Sequence, residues 1–214
     1  MKDKFLVVID MQNDFCTGAL KNDDAVAVIP FIKAQIEHAR KTGTKIIYTR
    51  DTHGSDYMET IEGKHLPVPH CIRDTKGWEI VDELAPKGNV LVYNPGVPPV
   101  KENIDNVDTV VINKTHFGFD EWKKFIPEDS EVTICGVCTD ICIVSNSLAI
   151  KAIEGVEVTV LAEGCAGLTK EKHEHALDVM ASCQCRVIYD LAATVAVEAE
   201  CRLEIYRQNY ECRT

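Results

Sequence analysis

Short apolar segments rich in β-branched residues alternate along this chain with segments of helical periodicity, and this alternation limits the fold more than any other feature. The apolar segments are nearly continuous, as is typical of strands in a parallel sheet covered on both faces. The predicted strands are Phe5–Ile9, Lys45–Thr49, Val90–Tyr93, Thr109–Ile112, Glu131–Cys135, Val156–Leu161 and Arg186–Tyr189. The predicted helices are Ala25–Lys41, Gly77–Leu84, Asp120–Lys124, Thr139–Ile153, Lys170–Ser182 and Ala192–Gln208. We therefore expect an α/β fold with a doubly wound, mainly parallel sheet and helices on both faces.

The length and evenness of the chain predict one domain. It has 214 residues, enough to bury a core without disulfides, and it contains no repeat, low-complexity tract or linker. The expected domain therefore covers residues 1–214. The stretch His53–Thr75 is the exception, because it is long, irregular and rich in His, Pro, Gly and acidic residues. Long loops in compact domains are typically functional or disordered.

Charge and hydropathy exclude several kinds of partner. The formal net charge is −11 and no basic run is present, which argues against nucleic acid or an anionic membrane. The N-terminal apolar run, Phe5–Ile9, is too short for a signal-peptide core, and no later run reaches membrane-spanning length. We expect a cytoplasmic protein whose partner is a small molecule, and the sequence leaves self-association open. In that compartment, the ten cysteines indicate reduced thiols, metal ligands or catalytic groups.

Chemically active side chains follow four of the predicted strands. Asp10 follows the first strand, Asp51 and His53 follow the second, Lys114 follows the fourth, and Cys142 closes the segment after the fifth. Ligands of open parallel sheets bind at the carboxyl ends of the strands. The sequence therefore predicts a site that combines an acid, a lysine, a thiol and a pair of potential metal ligands.

Cys142 lies where a helix begins sharply after a strand, and this position suits a nucleophile. The partial positive charge of a helix N-terminus should lower the pKa of the thiol, and its free N–H groups can hold an oxyanion. Lys114 can stabilise the thiolate and Asp10 can carry the proton. Spacing alone leaves the plainer alternatives open: a packed cysteine, an aspartate that forms a turn, and a surface lysine.

Three cysteines also form the pattern C-x2-C-x3-C, which is compatible with zinc or an iron–sulfur cluster. The residues are Cys135, Cys138 and Cys142. The first falls at the end of a strand and the last within a helix, and no fourth ligand follows at a usual spacing. A thiol-rich redox or metal-binding protein is therefore kept as an alternative class. A nucleotide-binding module is disfavoured because neither glycine-rich phosphate motif occurs.

Three segments together resemble the isochorismatase-like cysteine hydrolases. Asp10-Met11-Gln12-Asn13-Asp14-Phe15 is similar to the D-x-Q-x-D-F signature, Val111-Ile112-Asn113-Lys114 with Phe117 to the lysine segment, and Gly136-Val137-Cys138-Thr139-Asp140-Ile141-Cys142-Ile143 to the G-x-x-T-D-x-C-V segment. The resemblance implies that Asp10, Lys114 and Cys142 form a catalytic triad. It also implies a cis peptide between Val137 and Cys138, with the N–H groups of Cys138 and Cys142 as the oxyanion hole. Cys138 departs from the family, which usually carries a small residue such as Ala there.

Asp51-x-His53 followed by His70 suits a divalent metal, since zinc, iron and manganese all accept imidazole and carboxylate ligands. From spacing alone, a solvated histidine-rich loop is an equal alternative. Arg50-Asp51-Thr52-His53, Pro69-His70-Cys71 and Gly77-Trp78-Glu79 resemble segments of the nicotinamidase branch of the superfamily. This resemblance implies one bound ion in a loop at about residues 51–75. It also implies an additional acidic ligand, for which Glu62 is preferred over Glu59 and His65.

The same resemblance implies a substrate and its contacts. In the nicotinamidase branch the metal binds the pyridine nitrogen and aromatic side chains sandwich the ring. Phe15, Trp78 and Val137 are the expected substrate contacts here. We therefore expect hydrolysis of nicotinamide to nicotinate and ammonia through a Cys142 thioester, with a different small amide as the alternative substrate.

Overall fold

Seven parallel strands form one sheet in the computed structural model, which describes residues 2–96 and 107–192. The strands are β1 Lys4–Ile9, β2 Lys45–Asp51, β3 Val90–Tyr93, β4 Thr109–Lys114, β5 Glu131–Val137, β6 Glu157–Ala166 and β7 Arg186–Ile188. Their order in the sheet is β3-β4-β2-β1-β5-β6-β7, and every neighbouring pair is parallel. Strands β2, β3 and β4 lie on one side of β1, and β5, β6 and β7 lie on the other. The predicted doubly wound α/β sheet is therefore confirmed.

The described α-helices are α1 Asn13–Cys16, α2 Asp23–Ala27, α3 Ile29–Thr42, α4 Ile61–His65, α5 Val144–Lys151 and α6 Lys170–Ser182. Short 3₁₀ turns occupy Tyr57–Glu59, Asp82–Leu84 and Trp122–Lys124. None of the described helices is both long and apolar enough to cross a bilayer. The predicted helix Ala192–Gln208 lies outside the described residues apart from Ala192.

Both faces of the sheet are covered, because alternate residues of the central strand enter different apolar clusters. Val7 and Ile9 pack in one cluster with Leu177 of α6. Val8 packs in the other cluster with Ile32 of α3. Since successive side chains of a strand point to opposite faces, this division places α3 on one face and α6 on the other. The continuously apolar strands of the sequence are explained by burial on both sides.

The predicted helix Gly77–Leu84 is wrong. Ile80 forms an antiparallel bridge with Gln12, and only the last three residues form a 3₁₀ turn. Backbone groups of this segment bond outside it: Asn13 N–H donates to the Glu79 carbonyl at 3.0 Å, and Val81 N–H donates to the Met11 carbonyl at 3.0 Å. A helix would have to give up these bonds, so pairing with the segment after β1 replaces the helical pattern.

Three other predicted helices are changed in detail. The segment Ala25–Lys41 is divided into α2 and α3 around Val28, with a proline in the first turn of α3. The segment Asp120–Lys124 is reduced to one 3₁₀ turn. The segment Thr139–Ile153 begins as a π-helical turn, Thr139–Ile143, and becomes the α-helix α5 only at Val144.

Gly136 permits the close packing of β5 against β1 at the edge where the candidate site lies. Its φ is +127°, and a Cβ atom would lie 2.1 Å from the carbonyl oxygen of Ile9. The backbone of a neighbouring strand cannot move away without breaking the sheet. Gly136 is therefore required both for its conformation and for the space it leaves.

We predict that Gly136→Ala lowers the free energy of unfolding by about 3 kcal/mol or more, because it adds both strain and a clash with β1. Gly43 is a matched control, since its φ is +72° but no atom lies within 4 Å of the point that a Cβ atom would occupy. Gly43→Ala should cost only about 1–2 kcal/mol. Urea unfolding of both variants measures the difference, and equal losses would contradict the role given to Gly136.

Candidate active site

The ends of four adjacent strands bring the site together. Asp10 directly follows β1, Asp51 ends β2, Lys114 ends β4, and Cys142 lies in the π-helical turn after β5. These strands are neighbours in the order β4-β2-β1-β5, and all run in the same direction. Their carboxyl ends therefore meet at one edge of the sheet, as the sequence predicted.

Lys114 is the centre of this group, and its side chain is completely buried. Its Nζ lies 2.7 Å from Asp10 Oδ2 and 3.3 Å from Asp51 Oδ1. It also lies 3.7 Å from Cys142 Sγ and donates to the carbonyl of His116 at 3.1 Å. One ammonium thus contacts two carboxylates and the thiol in a site removed from water.

The environment of Asp10 suits a proton carrier. Burial raises the pKa of this carboxyl above its usual range, against the lowering effect of the Lys114 charge. Thr49 Oγ1 donates to Asp10 Oδ1 at 2.7 Å and fixes its orientation. A carboxyl with a raised pKa takes up a proton more readily than an ordinary aspartate and can release it again.

Cys142 differs from the sequence expectation in its electrostatics. Burial raises the pKa of its thiol well above the ordinary value, and Lys114 opposes this effect without overcoming it. The expected lowering of the pKa by a helix N-terminus is therefore wrong, because the thiol lies in a π-helical turn within the core rather than at a solvated helix end. Because the pKa of this thiol is raised, a neighbouring base must take its proton as it reacts.

The cis peptide that the family resemblance implied is present between Val137 and Cys138. Cys138 is buried, and burial raises the pKa of its thiol to about 12. Its thiol is therefore not a competing thiolate beside Cys142. The assignment of the Cys138 and Cys142 N–H groups to an oxyanion hole stays a prediction.

A second group of side chains adjoins the first and shares Asp51 with it. The group consists of Asp51, His53, Glu62 and His70, and one potential ligand atom of each lies within 4.8 Å of all the others. Asp51 Oδ2 lies 2.9 Å from His53 Nε2 and 3.5 Å from His70 Nε2, and Glu62 Oε1 lies 3.6 Å and 3.7 Å from the same two nitrogens. The other oxygen of Asp51 faces Lys114.

These residues fit a divalent metal ion. Glu62 Oε1 is buried and has no hydrogen-bond partner in the described part of the chain. His70 Nδ1 lies 2.9 Å from the Val68 carbonyl, which can only accept, so a neutral His70 presents the lone pair of Nε2 to the group. Two imidazoles and two carboxylates suit zinc, iron or manganese. His65 is exposed and bonded to its own helix, so it does not belong to this group.

Two of the three expected substrate contacts, Phe15 and Val137, lie in different surroundings. Phe15 lies beside the metal-type group, with its ring centroid 5.7 Å from that of His70 in an edge-on arrangement. Val137 is fully buried in the apolar core beneath the site. Contact of either side chain with the substrate stays a prediction.

Trp78 packs against Arg50 and bonds to Thr52, so its ring does not stand free as an aromatic surface for a substrate. The Arg50 guanidinium lies 3.7 Å from the centre of its ring, and its indole N–H donates to Thr52 Oγ1 at 2.8 Å. Arg50 precedes Asp51 in β2, so its side chain leaves the face of the sheet opposite to that of Asp51. The packing of Trp78 therefore supports the end of β2, and its contact with substrate stays a prediction.

The sheet separates Cys135 and Cys138 from Cys142, the third cysteine of the C-x2-C-x3-C pattern. Cys135 packs in the same cluster as α3, whereas Cys142 packs in the cluster on the opposite face. Within residues 2–96 and 107–192, the potential metal-ligand group is the one around Asp51, and it contains no cysteine. The structure therefore contradicts the alternative of a cysteine metal cluster.

Gln12 and Asp14 are positioning residues to which the sequence analysis gave no role, although both belong to the D-x-Q-x-D-F segment. Gln12 is fully buried; its Oε1 accepts the Asp51 N–H at 2.7 Å and its Nε2 donates to the Asp51 carbonyl at 2.9 Å. Asp14 Oδ2 accepts the Cys71 N–H at 2.7 Å, next to His70. These two side chains tie the ends of β1 and β2 to the loop that carries the second histidine.

The fold and the site together define a class of protein. A buried thiol, lysine and carboxylate at the carboxyl edge of a doubly wound parallel sheet are the arrangement of an α/β hydrolytic enzyme that is built around a cysteine. A model of the isochorismatase domain matches residues 4–190. The chain belongs to the isochorismatase family, and it is an amidohydrolase.

Several known proteins are similar to this chain along most of its length. The nicotinamidase of Escherichia coli (strain K12) is 23% identical over 195 residues, covering 82% of this chain and 89% of the relative. The nicotinamidase/pyrazinamidase of Mycobacterium tuberculosis (strain ATCC 25618 / H37Rv) is 26% identical over 184 residues, covering 82% and 92%. A crystal structure of the pyrazinamidase of Pyrococcus horikoshii in complex with zinc superposes with a TM-score of 0.66 at 25% identity, covering 88% of this chain and 99% of that one.

We predict that Lys114→Met raises the pKa of the Cys142 thiol further. Lys114 is the group that lowers this pKa, whereas burial, Asp10 and Asp51 all raise it. Alkylation of Cys142 at a fixed pH should therefore slow, and its pH profile should move to higher pH. The measurement is the alkylation rate against pH, with Lys114→Arg as the control that keeps the charge. An unchanged profile in Lys114→Met would contradict this role.

The metal-type group predicts one divalent ion per chain. His70→Ala should lose that ion, because it removes one of two imidazoles from a four-residue group. His65→Ala is a matched control, since His65 lies in the same loop but outside the group. Elemental analysis of both variants after dialysis measures bound metal. Equal metal content in the two variants would show that His70 is not a ligand.

Proposed function

We propose that this protein hydrolyses nicotinamide to nicotinate and ammonia through a thioester on Cys142. The observation that carries the proposal is the sharing of Asp51 between two groups. One oxygen of this carboxylate lies against Lys114 beside the thiol, and the other lies in the potential metal group. The two groups can therefore act on one small substrate, with the thiol at its amide carbon and the metal-type group at its ring nitrogen.

The first half of the reaction uses Cys142 and Asp10. Cys142 Sγ attacks the carboxamide carbon while its proton passes to Asp10, whose raised pKa suits it to hold that proton. Lys114 stabilises the negative charge that develops on sulfur, and the N–H groups of Cys138 and Cys142 are proposed to hold the oxyanion. Asp10 then gives the proton to the departing nitrogen, the C–N bond breaks, and ammonia leaves a thioester behind.

The second half reverses the proton transfers. Asp10 takes a proton from a water molecule, and the resulting hydroxide attacks the thioester carbon. The C–S bond breaks, nicotinic acid leaves and loses its proton to solvent to become nicotinate, and the sulfur of Cys142 regains its proton from Asp10. Lys114 stays charged throughout, because Asp10 and Asp51 raise its pKa well above the ordinary value although burial alone would lower it.

Substrate orientation is the proposed task of the second group and of Phe15. Asp51, His53, Glu62 and His70 would hold a divalent ion, which when bound supplies a Lewis-acid contact for a ring nitrogen. Phe15 lies edge-on to His70 and offers an apolar surface to an aromatic ring. The similarity to nicotinamidases and to a zinc-bound pyrazinamidase supports this substrate class.

Turnover should depend on the thiol. We predict that Cys142→Ala lowers ammonia release from nicotinamide by about 10⁴-fold or more, since a methyl group cannot form the thioester. Cys135→Ala is the matched control, because Cys135 is buried on the other face of the sheet. Its activity should stay within a few-fold of that of the parent protein. Substantial ammonia release by Cys142→Ala would reject the nucleophile.

The ring nitrogen should decide between related amides. Nicotinamide and pyrazinamide both carry one, whereas benzamide does not, so benzamide should be hydrolysed at least about 100-fold more slowly by the metal-loaded protein. Chelation should slow nicotinamide turnover far more than it slows alkylation of Cys142. Equal rates on nicotinamide and benzamide, or full activity without metal, would reject orientation by this group.

A further inference from the structure

Asn146 is a fully buried polar residue that lies one helical turn beyond the nucleophile, and its role is not included in the mechanism above. Its Oδ1 accepts the Phe119 N–H at 3.0 Å and the Trp122 indole N–H at 3.1 Å. Its Nδ2 donates to the Phe117 carbonyl at 2.9 Å and to the Cys142 carbonyl at 2.7 Å. An asparagine side chain can make four such bonds, so Asn146 is fully satisfied.

The partners of Asn146 belong to two different parts of the site. One is the carbonyl of the nucleophile itself, in the π-helical turn after β5. The others lie in the segment that follows β4, which begins directly after Lys114. Residues 117 and 119 are therefore held against the nucleophile turn by a single side chain. Since the two segments belong to strands that are not neighbours in the sheet, no ladder hydrogen bond does this.

The same segment also positions the lysine. Lys114 Nζ donates to the carbonyl of His116 at 3.1 Å, and the next carbonyl, that of Phe117, accepts the amide of Asn146. Two successive carbonyls are thus bonded, one to the ammonium and one to Asn146. A shift of this segment would move the ammonium relative to Cys142 Sγ, which lies 3.7 Å from it.

We propose that Asn146 is a positioning residue that sets the separation between the Lys114 ammonium and the Cys142 thiol. It acts by fastening the segment after β4 to the backbone of the nucleophile. Because Asn146 is fully buried, a substitution that leaves these backbone groups without partners should displace the segment. A displacement of about 1 Å at a reacting centre can cost roughly 100-fold in rate.

Two variants separate the halves of this connection. Asn146→Asp keeps the acceptor for Phe119 and Trp122, but a carboxylate cannot donate to either carbonyl and a protonated carboxyl can donate to only one of them. Asn146→Ser can still donate to the carbonyl four residues earlier in its helix, which is that of Cys142, but is too short to reach the segment after β4. Both should lower kcat on nicotinamide by about 100-fold with KM changed less than about 3-fold, and both should keep the metal content of the parent protein.

Two controls identify effects of stability alone. Asn113→Asp makes the same substitution at a buried asparagine one residue before Lys114, whose amide bonds Asn94 and Arg50 on the other face of the sheet. Trp122→Phe removes one donor to Asn146 but leaves both of its bonds to the carbonyls. These variants should lose stability, measured as Tm, while keeping kcat within a few-fold.

The kinetic comparison rests on the proposed function, so a second measurement is made without substrate. The rate at which iodoacetamide alkylates Cys142, followed by mass spectrometry of the labelled peptide, reports how closely the ammonium approaches the thiol. It should fall about 10-fold or more in both Asn146 variants and stay near the parent value in the two controls. If no protein of the series hydrolyses nicotinamide, the proposed function fails and alkylation alone decides on Asn146.

The outcomes are distinct. Slower alkylation and lower kcat in the Asn146 variants than in controls of equal Tm support the positioning role. If Asn146→Asp does not fold, Asn146→Ser decides, because a serine is readily accommodated at a helical position. Alkylation of Asn146→Ser at the rate of Asn113→Asp would overturn the proposal.

Discussion

The contact between the buried Lys114 ammonium and the carboxylates of Asp10 and Asp51 is the interaction on which the rest of the site depends. A buried charge that has lost its hydration must be compensated by groups in direct contact with it. Each of these partners ends or follows a different strand of the sheet. The strands must therefore end at the same level for the charges to balance. Removing any one partner leaves an uncompensated charge in the core. The arrangement therefore requires accurate alignment of the strand ends, and this requirement matters more than any stability that the ion pairs contribute.

Asp51 joins the two halves of the site because its two oxygens face different neighbours. Whatever occupies the group around His53 and His70 changes the charge that Lys114 experiences through the same carboxylate. By thermodynamic linkage, if an ion bound there changes the proton affinity of the thiol by some factor, loss of the thiol proton changes the affinity for the ion by the same factor. The metal-type group and the Lys114–Cys142 pair are thus coupled electrostatically through one carboxylate.

The positions of Asp10, Asp51, Lys114 and Cys142 could be predicted from the sequence because continuous apolar strands reveal both the sheet and the places where the strands stop. Asp51, His53 and His70 could be proposed because they lie in segments that resemble the nicotinamidase branch, whereas Glu62 was one of three candidates and the fold brings it beside them. Two features could not. The helix predicted over Gly77–Leu84 was lost to hydrogen bonds with residues 11–13, which are far away in sequence. The pKa of Cys142 depends on how deeply the folded chain covers it, and no local pattern reports that depth.

Alternation along β2 has a consequence for how such a chain can change in length. Arg50 and Asp51 leave opposite faces of the sheet, and they pair in the ladder with Asn113 and Lys114. Inserting one residue earlier in β2 would exchange the two faces and present a guanidinium, instead of a carboxylate, to the buried ammonium. Between His53 and His70, insertions would be absorbed only at exposed positions such as residues 54–56, because Tyr57 and Glu62 lie against the two histidines. The exposed part of this loop can therefore change in length, while the strands that hold the charges must keep their residue count.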